Sequence, residues 1–161
     1  MRTERPPGTG VLAPAAAVAL AAAWRGAGLR VVFTRGVFDL LHPGHVRFLR
    51  TARALGDVLI AGVDGDAAIH RDEGHPPVNA EHERAEVLAA LASVDAVVIV
   101  ADDTPEGIIA KLQPDVVVCG ARSPVRPAGS ATVEGRGGRL VRLPAVPGHS
   151  SAALASKVRA L

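Results

Sequence analysis

Short apolar runs alternate with helical patterns along most of this chain. Runs rich in β-branched residues predict buried strands at 29–33, 57–63, 96–100, 115–119 and 139–143. The segments between them, and one ahead of the first strand, predict helices at 15–25, 47–55, 79–91 (beginning at residue 79 or 81), 104–112 and 152–161. Strands that are apolar on both faces and alternate with helices form parallel sheets. We therefore predict an α/β domain with a five-stranded parallel sheet between two helical layers.

The length of the chain fits one domain. Its 161 residues are enough for a single hydrophobic core. We assign residues 11–161 to this domain, which begins with the 15–25 helix, and we expect residues 1–10, rich in proline and glycine, to be disordered. The glycine-rich and proline-rich segment 120–138 predicts a loop, with room for a short helix.

Charge and composition narrow the classes of partner. The net charge is +2, the arginines are dispersed, and aromatic residues make up 2% of the chain, so we expect no nucleic-acid binding. One cysteine excludes an internal disulfide and favours a cytoplasmic protein. The alanine-rich stretch 11–24 follows Arg2 and Arg5 and superficially resembles a signal peptide. It is too short to span a membrane and contains Pro14, so we interpret it as a helix packed on the domain.

Two histidines follow the first predicted strand, in the segment Gly-Val-Phe-Asp-Leu-Leu-His-Pro-Gly-His-Val at 36–46. Ligands of open α/β sheets bind where strands turn into helices, and the unpaired N–H groups at a helix start attract anions. Residues three apart on a helix share a face, so His42 and His45 can point at one anion. Gly44 has no Cβ and lets a phosphate approach the backbone. The segment therefore predicts a site for a nucleoside triphosphate.

Other interpretations of the two histidines remain open at this point. A zinc site needs three or four ligands, and Cys119 is the only cysteine, so we expect no metal bound by the protein alone. The histidines could also be incidental surface residues. A dinucleotide oxidoreductase on a similar sheet is a further alternative, but the chain lacks Gly-x-Gly-x-x-Gly after its first strand.

Four stretches of the chain resemble one family. They are 34–45, with its His-x-Gly-His, Pro-Val-Asn at 77–79 followed by Arg84, 94–105 with Asp-Asp-Thr-Pro, and 148–151 with its serine pair. Together they resemble the nucleotidyltransferase superfamily of small cytidylyl- and adenylyltransferases, and within it the bacterial D-glycero-D-manno-heptose 1-phosphate adenylyltransferases most. The resemblance covers about residues 15–161. It implies a Rossmann-like three-layer sandwich.

The resemblance also implies a reaction. Such enzymes join a nucleoside triphosphate to a phosphorylated small molecule and release pyrophosphate, with Mg²⁺ as the cofactor that accompanies the nucleotide. For this chain it favours ATP over CTP and a sugar phosphate as the acceptor, with no membrane partner and a homodimer as a possible assembly. Cytidylyl transfer to glycerol 3-phosphate or another polyol phosphate, and nucleotide binding without catalysis, are the alternatives.

The resemblance assigns roles to particular residues. His42 and His45 are the expected catalytic residues, and Arg71 is the candidate to replace a lysine that the family usually has before Pro-Val-Asn. The expected nucleotide-binding and substrate-binding residues are Thr34, Arg35, Gly36, Val37, Phe38, Asp39, Gly44, Arg84, Gly120, Arg122, Ser150 and Ser151.

Structural roles compete with these assignments at several positions. Asp39 could cap a helix or orient the turn, Ser150 could be only an N-cap, and Arg84 could be a solvated helix charge. The family usually has an uncharged residue where this chain has Arg35. A charge at the end of a central strand is costly unless it is paired or faces a ligand, so we expect Arg35 to face the acceptor.

Overall fold

A computed structural model describes residues 10–101, 104–121, 123 and 129–160. Its strands are β1 (Gly10–Leu12), β2 (Val31–Gly36), β3 (Val58–Asp64), β4 (Ala96–Val100), β5 (Val116–Gly120) and β6 (Arg139–Leu143). Its helices are α1 (Pro14–Gly26), α2 (Pro43–Arg53), α3 (Asp66–Glu73), α4 (Glu81–Ala89), α5 (Pro105–Leu112), α6 (Ser130–Glu134) and α7 (Ser151–Arg159).

The strands form one parallel sheet in the order β1-β4-β3-β2-β5-β6. From β2 the chain first builds outward through β3 and β4, and then returns to place β5 on the other side of β2. This reversal makes the carboxyl ends of β2 and β5 a topological switch point, where α/β sheets bind their ligands. The turn that carries the two histidines follows β2 directly, so the topology places it at this crevice.

Two hydrophobic clusters cover the faces of the sheet. One joins the sheet to α1, α5 and α6, and includes Trp24, which is 5% exposed, and Ile108. The other joins it to α2 and α4 through Leu49 and Leu88, both fully buried. Because both faces are covered, the strand interiors consist almost entirely of apolar residues, which explains the uninterrupted runs in the sequence.

The predicted parallel α/β architecture is confirmed, but the predicted number of strands was wrong. The sheet of the described chain has six strands, because Gly10–Leu12 pairs with β4 ahead of the leading helix. Gly10 therefore belongs to a strand instead of a disordered tail, and residues 1–9 of that predicted tail lie outside the described ranges. The helix α3 was also not predicted, and α6 is the short helix for which the 120–138 loop left room. Among the described residues no helix has both the length and the apolar character to span a bilayer.

Candidate functional site

The two histidines of the motif lie side by side at the start of α2. His42 is the N-cap of the helix, Pro43 occupies its first turn, and His45 follows. The two imidazole rings are stacked, with centroids 3.9 Å apart and planes inclined by 29°. Both side chains are half-buried. The two rings therefore lie together at the positive end of a helix dipole, and their orientation towards one anion stays a prediction. The N–H groups of Gly44 and His45 already donate to His42.

A hydrogen bond selects the tautomer of His42. Its Nδ1 accepts from the backbone N–H of Gly44 at 3.1 Å. An accepting Nδ1 carries no proton, so the proton of the neutral ring lies on Nε2, which can then donate to a ligand. The helix cap thus prepares His42 as a hydrogen-bond donor without requiring that the ring be charged.

Gly44 has a packing role that the sequence did not reveal. A Cβ at this position would lie 2.8 Å from Cε1 and Nδ1 of the His42 ring and 3.0 Å from Cβ of His149. A side chain here would therefore displace at least one histidine. We predicted the glycine as a place for phosphate to approach the backbone, and the structure adds that two histidines already pack against it.

His149 is a third histidine at the site, and sequence reasoning missed it. Its ring centroid lies 6.5 Å from that of His42, with the planes inclined by 16°. We call His42, His45 and His149 the histidine cluster. Gly148, the residue before His149, has φ of +74°, a left-handed conformation that favours glycine. Two signals could have pointed to His149: it directly precedes the predicted helix cap, and it lies within the 148–151 stretch of the resemblance.

The two serines of the last motif begin α7. Ser150 is the N-cap, and its Oγ accepts from the backbone N–H of Ala153 at 3.1 Å. Ser150 is exposed and Ser151 is half-buried, so both lie within reach of solvent beside His149. The predicted N-cap role of Ser150 is confirmed, and the helix start it forms remains a predicted site for the outer phosphates.

The turn between β2 and α2 is tightly constrained. Phe38 has φ of +48°, which is uncommon for a residue with a side chain. Its ring is buried and meets the His45 ring edge-on, with centroids 5.7 Å apart. A Cβ at Gly36 would lie 3.2 Å from the Phe38 ring. Gly36, Val37 and Phe38 therefore shape the turn that presents the histidines, and their backbone groups remain the predicted lining of the nucleotide site.

Asp39 holds this turn to the segment before α4. Its carboxylate accepts from the backbone N–H groups of Val78 and Asn79, at 2.6 and 3.1 Å, and from Nδ2 of Asn79 at 2.8 Å. Burial raises the pKa of Asp39, but these hydrogen bonds and the Arg84 charge outweigh it, so the pKa lies below its ordinary value of 3.8. Of the two structural roles considered for Asp39, these contacts support orientation of the turn.

Arg84 is buried and binds protein groups on several sides. The residue is 2% exposed, and it donates to the backbone carbonyls of Val37, Asn79 and Asp64 and to the carboxylate of Asp66, the last at 2.6 Å. It is therefore not a solvated helix charge. Its contacts support a positioning role, in which one guanidinium fixes the ends of β2 and β3, more directly than the predicted role in binding nucleotide or substrate.

Thr34 and Gly120 lie on either side of the switch point. The Thr34 hydroxyl is fully buried and donates to the carbonyl of Val118 at 2.8 Å, so it joins β2 to β5 instead of facing solvent. Gly120 ends β5, and Nη1 of Arg142 donates to the carbonyls of Gly120, Ala121 and Ser123, the last at 2.7 Å. Arg142 was not predicted as a site residue. Arg122 lies outside the described residues.

The two remaining arginines of the prediction differ in environment. Arg35 forms an ion pair with Asp64 across the ends of β2 and β3, and both side chains are about one-fifth exposed. Arg71 lies in the last turn of α3, is 73% exposed, and has Nε 3.5 Å from the Asp72 carboxylate. An exposed pair of this kind restrains a side chain little, so Arg71 can change its position when a ligand binds.

Comparison with known proteins identifies the class to which a chain with this fold and this histidine site belongs. Residues 33–134 match the cytidylyltransferase-like family model, and the chain belongs to this family. The resemblance stated from the motifs is thereby confirmed.

Two curated proteins are similar to most of this chain. The bifunctional protein HldE of Hyphomonas neptunium is 46% identical over 138 residues, which cover 83% of this chain and 28% of that protein. The HldE of Mesorhizobium japonicum is 45% identical over 152 residues, which cover 93% of this chain and 31% of that protein. The chain therefore spans less than a third of the length of these curated relatives.

Solved structures share the fold. The crystal structure of a lipopolysaccharide core biosynthesis protein from Thermoplasma volcanium has a TM-score of 0.63 and 25% identity, covering 74% of this chain and 98% of that chain. A protein with unknown function from Archaeoglobus fulgidus has a TM-score of 0.57 and 21% identity, covering 75% and 93%. The second likeness supports the fold alone.

Proposed function

We propose that the protein transfers an adenylyl group from ATP to a sugar phosphate such as D-glycero-D-manno-heptose 1-phosphate and releases pyrophosphate. An oxygen of the sugar phosphate attacks the α-phosphorus, and the bond from that phosphorus to the oxygen bridging the α- and β-phosphates breaks. The observation that carries the proposal is the stacked pair of His42 and His45 at the start of α2, beside the switch point of the sheet.

The proposal gives each residue of the site a role, and the geometry supports the roles of the two histidines. Nε2–H of His42 donates to a phosphate oxygen, and the donation strengthens as negative charge develops on the leaving pyrophosphate. His45 lies 3.9 Å away, ring to ring, and binds the same polyphosphate. The start of α7 at Ser150 and Ser151 takes the outer phosphates, and the backbone near Phe38 and Gly120 lines the nucleotide site. Arg71 reaches the reacting phosphates from α3.

Mg²⁺ enters this proposal with the nucleotide. Among the described residues no group of three or more His, Cys, Asp or Glu side chains could hold a metal ion. The Asp39 carboxylate already accepts three hydrogen bonds. Mg²⁺ commonly keeps its waters and binds substrate phosphates with few protein ligands. The residues of the site therefore fit a Mg²⁺ ion that is carried by the triphosphate. The ion would neutralise the negative charge of the phosphates.

The relatives support the choice of acceptor. Two proteins named HldE are 45–46% identical over most of the chain, and the motif resemblance is strongest to the heptose 1-phosphate adenylyltransferases. One structural relative is a lipopolysaccharide core biosynthesis protein, which is in keeping with an acceptor that is a sugar phosphate.

A substrate panel tests the proposal. The purified protein is incubated with Mg²⁺, with ATP or CTP, and with heptose 1-phosphate, a hexose 1-phosphate or glycerol 3-phosphate, and pyrophosphate is measured. We expect release with ATP and the heptose phosphate. Faster release with CTP and glycerol 3-phosphate would replace the proposed substrates, and nucleotide affinity without release would indicate a binding protein.

Variants of the histidines connect turnover to the site. We expect His42→Ala and His45→Ala each to lower kcat by about a hundredfold, the usual loss when a donor to developing charge is removed. His82 is an exposed histidine of α4, so His82→Ala is the matched control and should retain kcat. Losses below about threefold at both His42 and His45 would contradict the proposed mechanism.

A further inference from the structure

A cavity of about 110 Å³ lies beside the turn between β2 and α2. It is bounded by the ends of β2 and β3 and by the helix α3. Ala68 and Ile69, both buried residues of α3, form its apolar wall. Arg35 and Asp64 form its polar wall at the strand ends. The cavity has room for several water-sized groups, which is enough for part of a small polar ligand.

The polar wall of the cavity is the ion pair of Arg35 and Asp64. Arg35 is in register with Gly62 of β3, so Asp64, two residues further, lies diagonally opposite on the same face of the sheet. Nε of Arg35 donates to Oδ1 of Asp64. Nη1 of Arg35 is buried and has no hydrogen-bond partner among the described residues. Such a donor is costly when it stays unpaired, and a ligand oxygen in the cavity would supply its acceptor.

The charges around the cavity do not favour a phosphate. Arg35 is the one basic residue among the described residues that line it, and Asp64 neutralises it. The other ionisable lining residues are Asp72 and Glu73, which are exposed and have Arg71 and His75 as neighbours at 3.5 and 3.8 Å. Because the positive charge does not exceed the negative charge, a dianion gains little here. A hydroxyl group, which both donates and accepts, suits a guanidinium beside a carboxylate.

Hydrogen bonds of one side chain connect the cavity to the turn between β2 and α2. Arg84 donates to the carbonyl of Val37, which also lines the cavity, and to the carbonyl of Asp64 at 2.7 Å. One buried side chain therefore fixes the cavity wall and the turn that leads to His42. A ligand group held in the cavity has a defined position relative to the histidine cluster.

We infer that this cavity binds the uncharged, hydroxyl-bearing part of the acceptor, and that Arg35 and Asp64 are residues that determine acceptor specificity. Arg35 donates to one acceptor hydroxyl through Nη1, and Asp64 accepts from another. The phosphate of the acceptor lies outside the cavity, towards the histidine cluster. This inference rests on the proposed function, because it concerns the second substrate of that reaction.

Kinetics with a graded acceptor series tests the inference. The series is heptose 1-phosphate, hexose 1-phosphate and glycerol 3-phosphate, which carry the same charge and progressively fewer hydroxyls. We expect Arg35→Asn and Asp64→Asn each to raise KM for the heptose phosphate about tenfold or more and to leave KM for ATP within about twofold. The preference for heptose over glycerol should also shrink. An unchanged preference, or an equal rise in both KM values, would overturn the inference.

Arg53→Asn is the matched control. Nε of Arg53 lies 2.7 Å from Oδ2 of Asp95, and the Arg53 side chain is 23% exposed, close to the 22% of Arg35. Asp95 directly precedes β4, so this pair lies at the amino-terminal ends of the strands, opposite the carboxyl ends that carry Arg35 and Asp64. The variant should lose stability to a similar degree and keep the wild-type order of acceptors. If it changed that order as Arg35→Asn does, the effect would belong to general destabilisation.

A binding measurement separates this inference from the proposed reaction. The ¹⁵N-labelled protein is observed through its arginine Nε–H signals, and the Arg35 signal is identified by its loss in Arg35→Lys. We expect heptose 1-phosphate to shift this signal and inorganic phosphate not to shift it. A shift without any pyrophosphate release would keep the inference and reject the transfer reaction. Release with no shift, or an equal shift with inorganic phosphate, would reject the inference and keep the reaction.

Discussion

Replacing Gly44 with alanine places a methyl group against two members of the histidine cluster. The added Cβ would lie 2.8 Å from two atoms of the His42 ring and 3.0 Å from Cβ of His149. Carbon atoms in contact sit about 3.5–4.0 Å apart, so the overlap is several tenths of an ångström or more. The His149 contact is with a Cβ, which moves only with its backbone, and the His42 ring is therefore the group that must rotate.

Two opposing free energies decide the sign of the effect on stability. Alanine is favoured over glycine inside a helix by about 1 kcal/mol, which would stabilise α2. Overpacking costs about 1–3 kcal/mol. Rotation of His42 also breaks its hydrogen bond to the Gly44 N–H, a cap contact worth about 1 kcal/mol. The losses exceed the gain, so we expect a net destabilisation of about 1–3 kcal/mol and a Tm lower by about 2–12 °C.

The same displacement of the His42 ring should also slow catalysis. A displacement of a reacting group by about 1 Å can lower the rate by about a hundredfold. We expect Gly44→Ala to lower kcat for pyrophosphate release by about that factor, at temperatures where circular dichroism shows a folded protein. Gly26→Ala is the control, because a Cβ at Gly26 has no neighbour within 4 Å. It should leave kcat unchanged and keep or raise Tm. A Gly44→Ala variant as stable and as active as wild type would refute the packing argument.

Two other substitutions test the supports of the turn. Arg84→Lys replaces the buried guanidinium that donates to the carbonyls of the half-buried residues Val37 and Asp64 with a group that has fewer donors. We expect a loss of at least about 2 kcal/mol in the free energy of unfolding by urea, and a loss below about 0.5 kcal/mol would contradict the positioning role. Asp39 has a lowered pKa, so its contribution to stability is present above the unfolded pKa of about 4 and is lost as pH falls through the folded pKa. Asp39→Asn should therefore be less stable than wild type at pH 7 and lose less stability on acidification to about pH 3, and parallel pH profiles of the two proteins would exclude this role.

Strand and cap positions were accessible from the sequence because their signals are local. The runs that became β3, β4 and β5 are buried on both faces, so each was visible as a continuous apolar segment. Strand β1 has only three residues and is defined by its pairing with β4, which no local pattern encodes. Helix α3 carries mostly polar residues, and its clearest signals are the glycines at its two ends, Gly65 and Gly74.

The site was predictable in part for the same reason. His42 and His45 are close in sequence, so helical spacing alone brought their rings together. His149 reaches them only through the packing of the loop before α7 against Gly44, a contact across more than a hundred residues. The role of Arg84 was hidden because three of its partners are backbone carbonyls, which any sequence supplies.

Fluorescence from the single tryptophan reports on only one of the two helical layers. The sequence contains no tyrosine, so ultraviolet-excited emission comes almost entirely from Trp24. That indole belongs to the cluster of α1, α5 and α6, whereas α2 and α4 pack on the other face of the sheet. Fluorescence therefore reports melting of one helical layer and is silent about the layer that carries His42 and His45. Following emission and far-ultraviolet dichroism in the same titration would show whether the two layers detach together.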